Sequence, residues 1–299
     1  MYKIYTISIF ILLYLTGFIK AEESFDFTIE KTHPLEPPYL AIYKKDAKTL
    51  GYIASIHCNF SDTNIPIAQI IKEGFKEIKP DLVIIEGVDL GNQVLLDRVA
   101  NTAKLCFEQK KSKCGEAYFA AYLANKEKVK FTGIEPSDDE IVNALKSHGY
   151  NAEDGLGYIF LLYYSSACFG MTKGPSPEKI FQETMVGHYD DLAGFTYTYK
   201  DFLRWFQSIH GNIETLSQID GMNDNKYTSA YENNPSVYLR QLSIKVSDIR
   251  ENSIRENIQK ILDKNHFKRI LIIYGANHYL EERVFLYNNF GFSIKLVKH

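Results

Sequence analysis

What this sequence lacks removes whole classes of protein. No run of lysine and arginine stands out, and the net charge over 299 residues is −3, so nucleic acid is not an expected partner. Past the N-terminus, no apolar stretch is long enough to cross a bilayer. The nearest, LGYIFLLYYSSACF (156–169), is too short and carries tyrosine and serine throughout. No Gly-x-Ser-x-Gly elbow occurs, which disfavours a serine hydrolase of that type. Cysteine is sparse, at four residues, and none follows the N-terminal apolar run, so a lipoprotein has no attachment point.

That apolar run is the first positive signal. Lys3 provides a short cationic start, Ile4 to Ile19 is nearly unbroken apolar chain, and Ala21 precedes Glu22 and Glu23. The pattern is that of a secretory signal peptide cleaved near Ala21; an uncleaved anchor is the alternative. A secreted or periplasmic protein of residues 22–299 is expected, with no stable membrane span after cleavage. The four cysteines suit an oxidising compartment. Cys106 and Cys114 flank the hydrophilic FEQKKSK and form the candidate bridge. Cys58, beside His57, is a candidate nucleophile, but a structural thiol or a bridge to Cys168 is preferred, because neighbouring strand residues point to opposite faces.

Apolar periodicity places an α/β domain on the chain. YLAIYKK and LGYIASIHC read as strands of a hairpin through DAKT. TNIPIAQIIKEGFKEIK reads as an amphipathic helix capped by Thr63 or Asn64, with Pro66 in its first turn. PDLVIIEGV and VKFTGIEP read as buried strands, and 92–128 as helical. Residues 137–246 read as a mostly helical cap insertion, with helices over 139–147, 154–170 and 199–209; GHYDDLAG (187–194) within it reads as loop. A long helix over about 247–264, a strand over 269–274, a helix from about His278 and a strand in FSIKLVK complete a mixed β-sheet flanked by helices.

Two stretches look alike. Ala54-Ser55-Ile56-His57 and Gly275-Ala276-Asn277-His278 each follow an apolar strand and precede a helix and another strand. Such a pseudo-repeat would face two histidines across the carboxyl ends of neighbouring strands, where open α/β sheets place their ligands. Glu86 closes the apolar LVII and Glu135 closes FTGI. A bare carboxylate buried there costs several kcal/mol, so each must be paired, hydrogen-bonded or bound to a cation. Two His and two Glu on one edge make either a metal site (His57, Glu86, Glu135, His278) or a water-activating acid/base site. In VSDIRENSIRENIQKIL, Arg250 and Asn257 share one helix face. Arg250 would pair with a carboxylate or stabilise an oxyanion; the competing reading is a solvated charged face, which Glu251 and Arg255 suit at i,i+4.

The segments IRENSIRENIQKIL and RILIIYGANHY, with SIHCN and VIIEG, resemble the TraB/GumN/Tiki family and the related erythromycin esterases. The resemblance spans 51–136 and 247–297 and does not extend through 137–246. It departs from the family pattern at Ala54, where glycine is usual, and at Glu251, where Asp or Asn is usual. It implies a metal-dependent peptidase with His57, His278 and the glutamates on a divalent ion (manganese, zinc or cobalt), and catalytic roles for His57, Glu86, Arg250 and His278. Its esterase branch implies metal-free hydrolysis of a small ester with His57 as general base. A secreted protein that binds haem or a peptide without turnover is the non-enzymatic alternative.

Overall fold

The computed structural model describes residues 36–110, 114–168, 176–187, 189, 192, 194–210, 236–264, 266–290 and 295–298. The signal-peptide segment, the side chain of Cys168, and His188, Asp190 and Asp191 of GHYDDLAG lie outside them.

The fold is α/β. Strands β1 (Tyr39–Lys45), β2 (Lys48–Ser55), β3 (Leu82–Ile85), β4 (Lys130–Thr132), β5 (Arg269–Gly275) and β6 (Lys295–Lys298) form one mixed sheet in the order β4-β3-β5-β2-β1-β6. β4, β3, β5 and β2 run parallel, while β1 is antiparallel to both β2 and β6. β5 therefore inserts between β2 and β3, and the chain leaves it in the opposite direction across the sheet. This is a topological switch point, the place where an open parallel sheet leaves a crevice at its carboxyl edge.

The apolar runs form strands buried on both faces because their alternate residues feed two different layers. On one face, Ile53, Val83, Ile85, Leu271 and Ile273 pack under helices α1 (Pro66–Ile78), α2 (Gln93–Phe107) and α3 (Glu116–Glu127). On the other, Tyr52, Ala54, Ile84, Ile272 and Tyr274 meet the later helices. A second apolar core belongs to α4 (Asp138–Ser147), α5 (Ala152–Cys168), α6 (Pro177–Thr184) and α7 (Tyr199–His210), with Phe160, Phe181, Phe202 and Trp205 at its centre. Helix α8 (Val237–Asp263) joins the two bodies. Its Leu239, Leu242, Val246 and Ile249 belong to the helical core, whereas Ile254, Ile258, Ile261 and Leu262 cover the sheet. Arg250 and Glu251 fall at the changeover. Helix α9 (Ala276–Phe290) starts directly from β5.

Several expected boundaries differ, each for a physical reason. The helix expected from 247 starts at Val237, where Ser236 caps it, because its first turns pack on the helical body rather than the sheet. Residues 92–128 form two helices, broken where Cys106 bonds to Cys114. Helix α1 has Ile65 at its N-cap with no side-chain cap; Thr63 instead offers its carbonyl to Gln69 and Lys72. The strand expected over 129–136 keeps only Lys130–Thr132 and is a partly exposed sheet edge. Beyond it, Gly133 lies so close to the Val88 carbonyl that a Cβ would collide, and this approach lets Glu135 pair with the loop after β3. The two histidine motifs are one residue out of step, since Ser55 rather than Ala54 stands opposite Gly275. His57 consequently lies on a loop, while His278 lies in the first turn of α9.

Candidate functional site

All five expected site residues reach the carboxyl edge of the four parallel strands. Glu86 is at the centre. Its backbone N–H continues the β3–β5 pairing by donating to the Ile273 carbonyl at 3.2 Å, and its Oε2 accepts from the Gly275 N–H at 2.6 Å. Its Oε1 stands 3.3 Å from His278 Nε2, 3.7 Å from His57 Nε2 and 3.4 Å from Arg250 Nη2. Burial alone would raise this carboxyl group. The hydrogen bond to His278, with the positive charges of His278, His57 and Arg250, instead lowers it to about 2.

Each imidazole is held from behind by a second glutamate. His57 Nδ1 is 2.6 Å from Glu116 Oε1, which also accepts from Ser55 Oγ at 3.1 Å. His278 Nδ1 is 2.6 Å from Glu251 Oε1. Glu116 comes from α3 on one face of the sheet and Glu251 from α8 on the other, so the site straddles the sheet edge. With Nδ1 donating to a carboxylate, the Nε2 of each ring turns toward Glu86. The hydrogen bond to Glu116 raises the His57 pKa above its ordinary value, against a smaller opposing effect of burial. Burial lowers His278, but the hydrogen bonds to Glu251 and Glu86 outweigh it and bring it up to about 9. The two rings differ in access: the His57 side chain is 62% exposed and that of His278 13%.

Gly275 answers why a core strand ends on glycine before a histidine. A Cβ there would stand 2.8 Å from His57 Nε2 and 3.4 Å from Glu86 Oε2, so the missing side chain is the space the imidazole uses.

Arg250 and Glu135 form the third unit. Arg250 Nε donates to Glu135 Oε2 at 2.7 Å and Nη2 to Glu135 Oε1 at 2.6 Å, a two-pronged pair. These bonds keep the guanidinium protonated, above its ordinary pKa, despite burial. Asn257, two turns on, donates to the Ile134 carbonyl at 3.0 Å and so ties α8 to the segment that carries Glu135. The solvated-face reading of this helix does not describe Glu251 and Arg255, since Glu251 turns to His278 and Arg255 Nε lies 3.2 Å from Glu282 Oε1.

The donor set suits a divalent ion in part. Two donors bound at about 2.0–2.1 Å to one tetrahedral ion stand about 3.3 Å apart. The His278–Glu86 separation of 3.3 Å matches this and the His57–Glu86 separation of 3.7 Å is somewhat wider. Metal-ligating histidines characteristically give their other ring nitrogen to a carboxylate, as both do here. Among the described residues, no three His, Cys, Asp or Glu side chains stand in a ready-made metal cluster. Glu135, expected as a ligand, directs both oxygens to Arg250 and none to the imidazoles.

Glu116 was not expected. It follows a cysteine and a glycine at the start of a helix rather than closing an apolar strand, and only its burial marks it. Cys58 is a free thiol, raised in pKa by burial and by Glu116, which argues against a thiolate nucleophile. No helix among the described residues is long and apolar enough to cross a membrane. Compared with protein-family models, curated proteins and solved structures, the chain finds no match in any of the three.

Proposed function

We propose that the protein is a secreted or periplasmic hydrolase in which His57 Nε2, Glu86 Oε1 and His278 Nε2 hold a divalent ion (manganese, zinc or cobalt), with peptides as the substrate class. One observation carries this reading. Two imidazoles, each oriented by a carboxylate from a different layer of the fold, aim their Nε2 atoms at a single carboxylate oxygen. When bound, such an ion supplies a water acidic enough to ionise near neutral pH. Glu116 and Glu251 fix the ring tautomers so that the Nε2 lone pairs face the ion rather than solvent. Arg250 holds Glu86 and Glu135 in place through Nε and Nη2, and its Nη1 end can meet the charge that develops on a substrate carbonyl. The resemblance to the TraB/GumN/Tiki family supports peptide as the substrate. The Cys106–Cys114 disulfide and the apolar N-terminal run support an extracytoplasmic location.

A second reading is favoured by the exposure of His57 together with its short contact to Glu116. In it, His57 Nε2 takes a proton from water, Glu116 steadies the resulting imidazolium, and a small ester is cleaved without metal.

The test is a panel of peptides and small esters, assayed after chelation and after return of manganese, zinc or cobalt. Peptide cleavage that chelation removes, metal restores and His57→Ala abolishes is the expected result. Ester cleavage indifferent to chelator would favour the second reading. Ligand capture with no turnover of either class would exclude both and leave a binding protein.

A further inference from the structure

The residue that orients His57 depends on an unusual length of chain. Glu116 is the first residue of α3, a position that in most helices is prone to fraying. Here it is buried, because the preceding segment is pinned to the His57 loop. Cys114 N–H donates to the Phe60 carbonyl at 3.1 Å and Phe60 N–H to the Cys114 carbonyl at 2.9 Å. Phe60 is three residues after His57, and Cys114 two before Glu116. The chain thus closes a ring from His57 through Phe60, Cys114 and Glu116 back to the His57 imidazole. Cys114 is also the residue whose sulfur is bonded to Cys106, in the last turn of α2. Phe107, next to Cys106, packs against Phe60 and Phe119 around this tie.

We propose that the Cys106–Cys114 disulfide is a positioning element of the site. It anchors the Cys114–Glu116 segment to α2 and thereby holds Glu116 against His57 Nδ1. Without the bond, Cys114 ends a connection eight residues long from Cys106, and the segment before Glu116 is secured to the His57 loop by a pair of backbone hydrogen bonds between Cys114 and Phe60. The other imidazole needs no such device. Glu251 lies in the middle of the 27-residue α8, with a buried helical turn on either side, so His278 is an internal control. The inference rests on His57 as a working residue of the proposed hydrolase, but its geometry can be tested whether or not that activity is found.

The experiment is nitrogen-15 histidine-labelled NMR of the oxidised protein and of Cys106→Ala/Cys114→Ala. An Nδ1–H donated to a carboxylate is protected and gives its own N–H signal. The oxidised protein should show two, assigned to His57 and His278 by their loss in His57→Gln and His278→Gln. The double cysteine variant should lose the His57 signal and keep that of His278, with hydrolysis or metal affinity lower by about 10–100-fold. Glu116→Ala, with the disulfide intact, should lose the same signal. Retention of both signals in the cysteine variant would overturn the proposal. Loss of both would overturn it equally, since the bond would then hold the whole fold rather than one residue. Retention of the His57 signal in Glu116→Ala would show that Glu116 is not what holds the ring.

Discussion

Gly275→Ala separates the demands of the site from those of the fold. Gly275 is strand backbone without a positive φ, so alanine suits its conformation. The added Cβ would lie 2.8 Å from His57 Nε2. Ordinary carbon contacts sit at about 3.5 Å or more, so the two must part by about 0.7 Å. The backbone is fixed by pairing with β2 and β3, while His57 is on an exposed loop, so the ring is what moves. The stability change is small, because alanine stiffens the unfolded chain by about 0.4–1 kcal/mol. The exposed His57–Glu116 contact that loosens is worth about 0–1 kcal/mol. Function should suffer far more, since a displacement near 1 Å at a reacting group costs on the order of 100-fold. Urea unfolding should place Gly275→Ala within about 1 kcal/mol of the parent. Metal titration, or hydrolysis once a substrate is known, should fall by roughly 10–100-fold. An unchanged affinity and rate would refute the claim that this glycine exists to admit His57.

Removing the Arg250 guanidinium should be costly in a different way. Arg250→Met leaves Glu135 without its cation and Glu86 with the histidines alone, and should destabilise the protein by about 2 kcal/mol in urea unfolding at pH 7, less than a fully buried pair because the side chain is one-third exposed. A change under about 1 kcal/mol would mean that the carboxylates find other partners. The contacts of His278 and of Glu86 make stability depend on pH at both ends. His278 rises from 6.5 to about 9, so its contribution is complete below about 6.5 and is lost as pH climbs through 9; Glu86 falls from 4.5 to about 2, so its contribution is complete above 4.5 and is lost as pH drops through 2. The two shifts share the His278–Glu86 contact but not all of their causes: Glu251 raises His278 more than Glu86 does, and His57 and Arg250 also lower Glu86. Denaturation in chelator from pH 3 to 10 should therefore show a decline between about 6.5 and 9 that His278→Gln makes shallower. A parent curve no steeper than that of the variant between pH 6.5 and 9 would contradict it. Glu282 is fully buried, and burial with the neighbouring Glu251 charge raises it to about 8 despite Arg255. Glu282→Gln should accordingly raise stability near neutral pH and remove the part of the decline that the parent shows as pH climbs from about 4.5 through 8, read from the same titration; a variant no more stable than the parent at pH 7 would contradict it.

The sheet and much of the site were legible because their signals are local. A run such as LVII can only be buried, and a Glu or His that ends it must go to the edge the strand reaches. The order of strands was not legible, because nothing in β5 itself says that it enters between β2 and β3. Nor was the partner of each histidine. Glu251 sits one residue from Arg250 in a helix rich in Glu and Arg, where an i,i+4 surface pair explains it as well as a buried contact does. Only the passage of α8 from the helical core to the sheet turns both Arg250 and Glu251 inward. Glu116 reaches His57 through a disulfide and a backbone bridge from a distant segment, and no spacing in the sequence encodes that. The cap signal on α1 failed for a simpler reason: Pro66 already removes one of the free N–H groups that Thr63 or Asn64 would have served.

The most direct test of the central claim is elemental mass spectrometry of the protein purified without chelator or affinity nickel, beside His57→Ala and His278→Ala. Near-stoichiometric manganese, zinc or cobalt in the parent, lost in both variants, is the predicted result. A parent that takes up none of the three even when they are supplied in excess would contradict a metal held by His57, Glu86 and His278.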